Sequence, residues 1–381
     1  MKKRENSKTV YILGAGFSIE AGAPSQAEIM KCIFSDGNPT YSKMPHYMSF
    51  KKLLSKQMNY SPKQFESIQL EDIFTPLDRC IADNINFRGL NIPQVMAARE
   101  SAFNMIGQAI RDKLNKKGND KEYINLFAKH LVERSSKRSK NKFREYDPVS
   151  VISTNWDILL DNSIYETIQR HHPKKAVVDY CCYISSLDED DKTIMPGLEM
   201  LGFGGFNVKL IKLHGSLNWL QCPRCMRIYT GFGEKIGTEK NKPCRHCNKN
   251  FKEENDSHKL ISNLIMPTFI KDLSNPQYKI IWQNAGVEIS EADKIIFIGY
   301  SLPSADFEMK QLLSRMTKSD AEIVVVDYIS EKGDKEKIKK KMEETTKRWE
   351  GFFGRRKIKF YFQGASAFIT NNLDISNKDD F

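Results

Sequence analysis

Two pairs of cysteines carry the clearest chemistry in this chain. Cys222 and Cys225 form one CxxC knuckle, and Cys244 and Cys247 form a second, with the 18 residues Met226 to Pro243 between them. Each knuckle presents two thiolates to one ion, and the spacing is that of a tetrahedral zinc ribbon. Four thiolates leave no open position for water, so the expected zinc is structural. The remaining cysteines, Cys32, Cys80, Cys181 and Cys182, match no ligand spacing and read as small buried hydrophobes.

A second group is the loop Gly14-Ala15-Gly16-Phe17-Ser18, which follows an apolar strand and precedes a helical pattern. Glycines there let a backbone approach a pyrophosphate, and a helix start favours negative charge. The same turn also serves a purely structural strand-to-helix connection. The third glycine of the dinucleotide fingerprint is replaced by Ile19, and no Lys-Ser/Thr pair makes it a P-loop. A third group is polar: Thr154-Asn155-Trp156-Asp157, His214-Gly215-Ser216, Gly299-Tyr300-Ser301-Leu302-Pro303 and Asp327. His214 has the pKa range of a general base. Taken singly, these are ordinary residues of turns after strands.

The elements that must position these groups read as short apolar strands. They are Thr9 to Leu13, Pro148 to Ser153, Val208 to Leu213, Lys294 to Ile298, Glu322 to Val326 and Lys357 to Phe362. Helical patterns separate several of them. This alternation predicts an α/β fold, a Rossmann-like and mostly parallel sheet with helices on both faces. Each polar cluster falls just past the carboxyl end of a strand, where open α/β sheets bind ligands. Residues 36–145 differ: Gln69 to Ile81, Pro93 to Lys116 and Lys121 to Glu133 carry apolar residues at helical spacing and predict a helical insert.

Composition limits the possibilities. With 381 residues, 40% of them hydrophobic, the chain can bury a sizeable core and is neither disordered nor a disulfide scaffold. No apolar run approaches the ~20 residues of a membrane-spanning helix. The start Met1-Lys2-Lys3-Arg4 leads into apolar residues that Gly14 and Gly16 interrupt, so no secretory signal is read and a cytoplasmic protein is expected. Lys and Arg number 59 against 48 Asp and Glu, a net charge of +11. The excess gathers in Glu133 to Arg144 and in Arg355-Arg356-Lys357-Ile358-Lys359. These patches suit a nucleic acid, an anionic ligand or an acidic partner, or simply a solvated surface.

Together the clusters resemble the sirtuin superfamily. The glycine loop, Thr154-Asn155-Trp156-Asp157, His214-Gly215, the two CxxC pairs, Gly299-Tyr300-Ser301-Leu302 and Asp327 follow the family order. The resemblance covers residues 8–32 and 147–370 as an NAD-binding catalytic domain, with the ribbon at 217–252 and the insert at 36–145. It implies NAD as substrate. Gly14, Ala15, Gly16, Phe17 and Ser18 would hold the pyrophosphate, and Gly299, Ser301 and Asp327 the adenosine ribose. Asn155 would hold water or a ribose hydroxyl, Asp157 the nicotinamide amide, and His214 would be the base. Asp327 stands where the family usually has Asn. A carboxylate there accepts from ribose hydroxyls and repels a 2′-phosphate, which predicts NAD over NADP.

The departures are equally informative. The Asp-Phe-Arg segment of sirtuin deacylases is absent, and the loop continues Gly22-Ala23-Pro24-Ser25-Gln26-Ala27. The chain therefore looks like the divergent sirtuin-like proteins of bacterial anti-phage systems. That resemblance implies an NAD hydrolase that depletes NAD and, as in some of those proteins, a separate HerA-type hexameric ATPase as partner; the helical insert points to an oligomer. Protein deacylation or ADP-ribosyl transfer is one alternative. A nucleic-acid-binding module with a vestigial NAD site is another.

Overall fold

The computed structural model describes residues 7–35, 39–115, 120–137, 147–189, 193–232, 242–251, 258–266, 268, 271, 273–330 and 334–373. Eleven strands are formed among the described residues. They are β1 (Thr9–Leu13), β2 (Val149–Ser153), β3 (Ala176–Asp179), β4 (Ile184–Ser186), β5 (Phe206–Lys212), β6 (Gly215–Gln221), β7 (Ile228–Thr230), β8 (Ile261–Leu264), β9 (Lys294–Ile298), β10 (Glu322–Val326) and β11 (Ile358–Tyr361). Seven of them make one sheet in the order β11-β10-β9-β1-β2-β5-β3. Every pairing in it is parallel.

The reason lies in the strand sequences. TVYIL of β1 and VSVIS of β2 are buried at every position, so both faces need a covering layer. Helices supply it, and the result is a doubly wound sheet. The strand limits agree with the sequence reading to within a few residues. β3 was not anticipated; AVVD is short and adds a seventh strand beyond β5.

The register is uniform where it matters. Leu13 pairs with Ile298 and with Ser153, Ser153 with Lys212, and Val326 with Ile298. The carboxyl ends of β10, β9, β1, β2 and β5 therefore stand level in one row. Strand order reverses at β1: β2, β3 and β5 lie on one side of it, with β3 at the edge, and the chain then crosses to β9 on the other. A crevice is expected outside the ends of β1 and β9.

Among the described residues, the apolar side chains form three cores. The largest surrounds the sheet. A second holds the helical insert, and a third is the small cluster of Leu220, Tyr229, Leu260 and the cysteines. The cores divide differently from the limits expected from sequence in two helices. Gln26–Phe34 turns Ile29, Met30 and Ile33 into the insert core, so the insert's packing begins before residue 36. Glu122–Ser136 buries Tyr123, Ile124, Leu126, Phe127, Leu131 and Val132 against the sheet, because it is apolar on more than one face. A smaller four-stranded sheet, β4-β7-β6-β8, carries the first cysteine knuckle.

The basic stretch at 133–144 falls largely on residues 138–146, outside the described residues. In the second patch, Arg356 donates to the Thr317 carbonyl and Lys359 pairs with Glu322, so part of that charge is already committed.

Candidate active site at the carboxyl edge of the sheet

The two loops at the reversal point touch backbone to backbone. The Gly14 amide donates to the Ile298 carbonyl at 3.1 Å, and the Gly16 amide to the Gly299 carbonyl at 2.9 Å. A Cβ on Gly14 would lie 2.5 Å from the Gly299 oxygen, and one on Gly16 would lie 2.7 Å from the Gly299 Cα. Gly299 has φ +62 and would drive a Cβ into the Gly16–Phe17 peptide. Close approach of the β1 and β9 loops thus accounts for all three glycines without a ligand. Ala15 is left exposed at the apex of the loop.

Phe17 and Ser18 face inward. The Phe17 side chain is buried in the sheet core, its amide donates to the Gly14 carbonyl, and its own carbonyl accepts from the Tyr123 hydroxyl at 2.5 Å. Any contribution of Phe17 to a ligand is therefore indirect, by holding the loop in shape. Ser18 is buried and lies 3.4 Å from the Asn155 Nδ2.

Asn155 follows β2. Its Nδ2 donates to the Gly14 carbonyl at 2.9 Å, which fixes the amide orientation. The Asn155 Oδ1 is buried and has no hydrogen-bond partner. Such an atom costs on the order of 1–3 kcal/mol when nothing, water or ligand, satisfies it. His214 follows β5, one strand further on. Its Nδ1 lies 3.2 Å from the Thr154 carbonyl. A carbonyl only accepts, so Nδ1 carries the proton and Nε2 presents a lone pair. The Nε2 is also buried without a hydrogen-bond partner. Burial holds the His214 pKa below its ordinary value, against the opposing pull of Asp306. The following Gly215 is required locally: φ is +73, and a Cβ would meet the Tyr278 hydroxyl at 2.6 Å.

Asp157 lies deeper. Its Oδ1 accepts from the Leu159 amide at 3.1 Å. Burial raises its carboxyl pKa above the ordinary range, although Lys212 nearby and the Ser18 hydroxyl bond work the other way. Lys212, the last residue of β5, is fully buried beneath it. The Lys212 ammonium donates to the Asp157 carbonyl at 2.6 Å and pairs with Asp161 at 3.1 Å, while Asp161 accepts from the Tyr180 hydroxyl. Breaking such a pair from one side costs about 3–5 kcal/mol, so Lys212 anchors the floor of the site.

Sequence reasoning missed Asp306 and Lys271. Asp306 is buried three residues past Pro303, and its Oδ1 lies 3.8 Å from the His214 Nε2. Lys271, also buried, pairs with Asp306 at 3.0 Å and with Glu308 at 2.8 Å. The Tyr300 hydroxyl donates to the other Asp306 oxygen at 2.8 Å. Burial would raise the Asp306 carboxyl, but His214 and Lys271 hold it below the ordinary range. No spacing rule links residues 214, 271 and 306, and nothing in the sequence ties Lys271 to the turn that precedes Asp306.

On the other side of β1, the Gly299 amide donates to the Val326 carbonyl, which joins the β9 loop to the residue before Asp327. Asp327 is half-buried, and its Oδ1 accepts from the Tyr328 amide at 2.9 Å. Ser301 is exposed. The residues expected at the site thus fall in spatial order along the level strand ends: Asp327, then Gly299 and Ser301, Gly14 to Ser18, Asn155 and Asp157, and His214.

The four cysteines expected at the metal centre converge. Their sulfurs all lie within 4.8 Å of one another, with Cys222 and Cys247 3.8 Å apart and Cys225 and Cys244 3.7 Å apart. A tetrahedron with Zn–S bonds of about 2.3 Å has sulfurs about 3.8 Å apart. The donor set therefore fits zinc. Burial would raise the Cys244 thiol, but bonds from the Tyr229 hydroxyl and neighbouring groups bring it to about 7, while burial pushes the Cys222 and Cys247 thiols up.

No protein-family profile matches the chain, and no curated protein matches it. Among solved structures it is similar to Sir2 bound to an acetylated peptide, at 16% identity over 96% of this chain and 92% of that one, with a TM-score of 0.38. A sirtuin studied for substrate affinity is similar at 16% identity, 96% and 92% coverage and a TM-score of 0.37. A Sir2 homologue in complex with NAD is similar at 14% identity, with 91% of each chain covered and a TM-score of 0.37. The topology and side chains of this chain themselves define its class: a doubly wound parallel α/β protein with polar groups gathered at the strand ends around its switch point and a separate four-thiolate centre. No helix of the described residues is long and apolar enough to cross a membrane.

Proposed function

We propose that this chain hydrolyses NAD at the bond between nicotinamide and ribose, giving nicotinamide and ADP-ribose. The observation that carries the reading is the level row of groups across five adjacent strand ends, which finishes in two buried, unpartnered polar atoms, Asn155 Oδ1 and His214 Nε2. Four strand spacings span roughly 19 Å, which suits an elongated ligand laid across the strand ends.

In this reading, Asp327 and Ser301 hold the adenosine ribose, and the Gly14 to Ser18 loop lies under the pyrophosphate. The nicotinamide ribose then reaches Asn155. The cationic pyridinium leaves as a neutral base while positive charge grows on the ribose carbon. A buried site that orients water and excludes bulk solvent favours that step. Asn155 Oδ1 accepts from water or a ribose hydroxyl. His214, neutral with Nε2 free, takes the proton. Asp157 binds the nicotinamide amide.

The wider setting rests on the sequence resemblance: depletion of NAD in anti-phage defence, with a HerA-type ATPase as partner; assembly into an oligomer rests on the helical insert. The missing Asp-Phe-Arg segment favours water over an acyl-lysine as acceptor. The test is to incubate the pure protein with NAD, with and without partner ATPase and phage trigger, and to follow nicotinamide and ADP-ribose by mass spectrometry. Wild type should produce both in equal amounts without an acylated peptide. Asn155→Ala and His214→Ala should each lose turnover. Undiminished turnover in both variants would sink the reading.

A further inference from the structure

His214 is faced from four sides. The Thr154 carbonyl accepts a hydrogen bond from its Nδ1, and the Trp282 ring stands with its centroid 6.4 Å away. Asp306 and Glu308 approach from the Phe307–Met316 helix and its cap, and Lys271 from the segment before the Pro276–Glu291 helix. The Nε2 to Asp306 Oδ1 distance of 3.8 Å is too long for a hydrogen bond. It is short enough for a strong charge interaction in a buried setting. In the resting state a lone pair faces a carboxylate, and Lys271 at 3.0 Å balances that carboxylate.

We propose that Asp306, held in place by Lys271 and Tyr300, is the carboxylate that stabilises the charge His214 acquires when its Nε2 takes a proton. Asp306 and Lys271 are then positioning residues that act through His214. This inference rests on the NAD-cleaving reading for its reaction. In that reaction the water oxygen bonds to the ribose C1′, and the C1′–N bond to nicotinamide breaks with its electron pair going to the ring nitrogen. The water proton passes to Nε2 and later to solvent. The imidazolium so formed lies against Asp306, which is ionised and already aimed. Lys271 has the opposite duty. Its charge disfavours an imidazolium before substrate arrives, so the base stays free to accept a proton. Burial and Lys271 lower the His214 pKa, while Asp306 raises it.

The experiment is an NMR titration of the full-length protein labelled with ¹⁵N-histidine, which reads His214 without requiring turnover. The expected result is opposite movement. Asp306→Asn, which can still accept from Tyr300, should move the His214 titration to lower pH. Lys271→Met should move it to higher pH, and Lys271→Arg should restore the wild-type midpoint. Far-UV circular dichroism on each variant checks folding, and Lys271→Arg serves as the conservative control. If neither substitution moves His214, or both move it in the same direction, the inference is overturned. The second arm follows NAD cleavage. Asp306→Asn should lower kcat by about tenfold or more with little change in KM. Unchanged kcat also overturns the inference. A wild type that cleaves no NAD under any trigger defeats the NAD reading, whereas the titration still decides whether the ion pair tunes the histidine.

Discussion

His214 Nδ1 lies 3.2 Å from the carbonyl oxygen of Thr154, the residue next to Asn155. The contact joins the ends of β5 and β2 and decides which imidazole nitrogen is left for chemistry.

Because burial holds the His214 pKa below its ordinary value, the imidazole stays neutral to lower pH than a free histidine. The acid limb of kcat/KM for NAD cleavage, which reports the free enzyme, should therefore fall below about 6.5. For stability the sign follows from proton counting. As pH drops through the ordinary histidine value, the unfolded chain takes up a proton that the folded chain refuses. The contribution is complete above that value and is lost toward the depressed folded pKa. A pH–rate profile with an acid limb above 6.5 would contradict this assignment.

The crossing of the β1 and β9 loops predicts an intolerance at Gly299. Gly299→Ala places a Cβ against backbone at φ +62, where no flexible side chain can yield. A loss of about 1–3 kcal/mol is expected, together with a misplaced glycine loop. Thermal denaturation and NAD turnover should fall together. A variant with wild-type melting and activity would show that the two loops need not touch.

The four-thiolate centre predicts one zinc per chain by elemental analysis. Removing it with a strong chelator should unfold the small core of Leu220, Tyr229 and Leu260, since the cysteines themselves are a large part of that core. Cys222→Ser should lower the melting temperature and metal content together. The sheet should keep its secondary structure. Metal-free protein with unchanged melting would contradict a structural ion.

Asp327 predicts cofactor choice. A carboxylate at the end of β10 repels a 2′-phosphate, so NAD should be cleaved in preference to NADP, and Asp327→Asn should narrow the gap. Competition between the two dinucleotides at equal concentration measures it. Comparable turnover of both by the wild type would remove the proposed role.

The sequence by itself determined a great deal. Two-faced burial is written into runs such as Thr9–Leu13 and Lys294–Ile298, because a strand with no polar face has to be covered on both sides. The parallel sheet follows from that. The cysteine spacing named the metal set, since a CxxC knuckle is a local geometry. The tertiary structure alone decided the relationships that depend on register and reversal. Strand order placed Gly14 against Gly299, which are far apart in the chain, and showed that loop packing alone explains their lack of side chains. It assigned the Gln26–Phe34 helix to the insert and the Glu122–Ser136 helix to the sheet, because a helix with several apolar stripes does not announce which neighbour each will face. It brought Lys271 and Asp306 to His214. Isolated charges carry no periodicity, so long-range pairing of this kind becomes visible only once the fold closes around it.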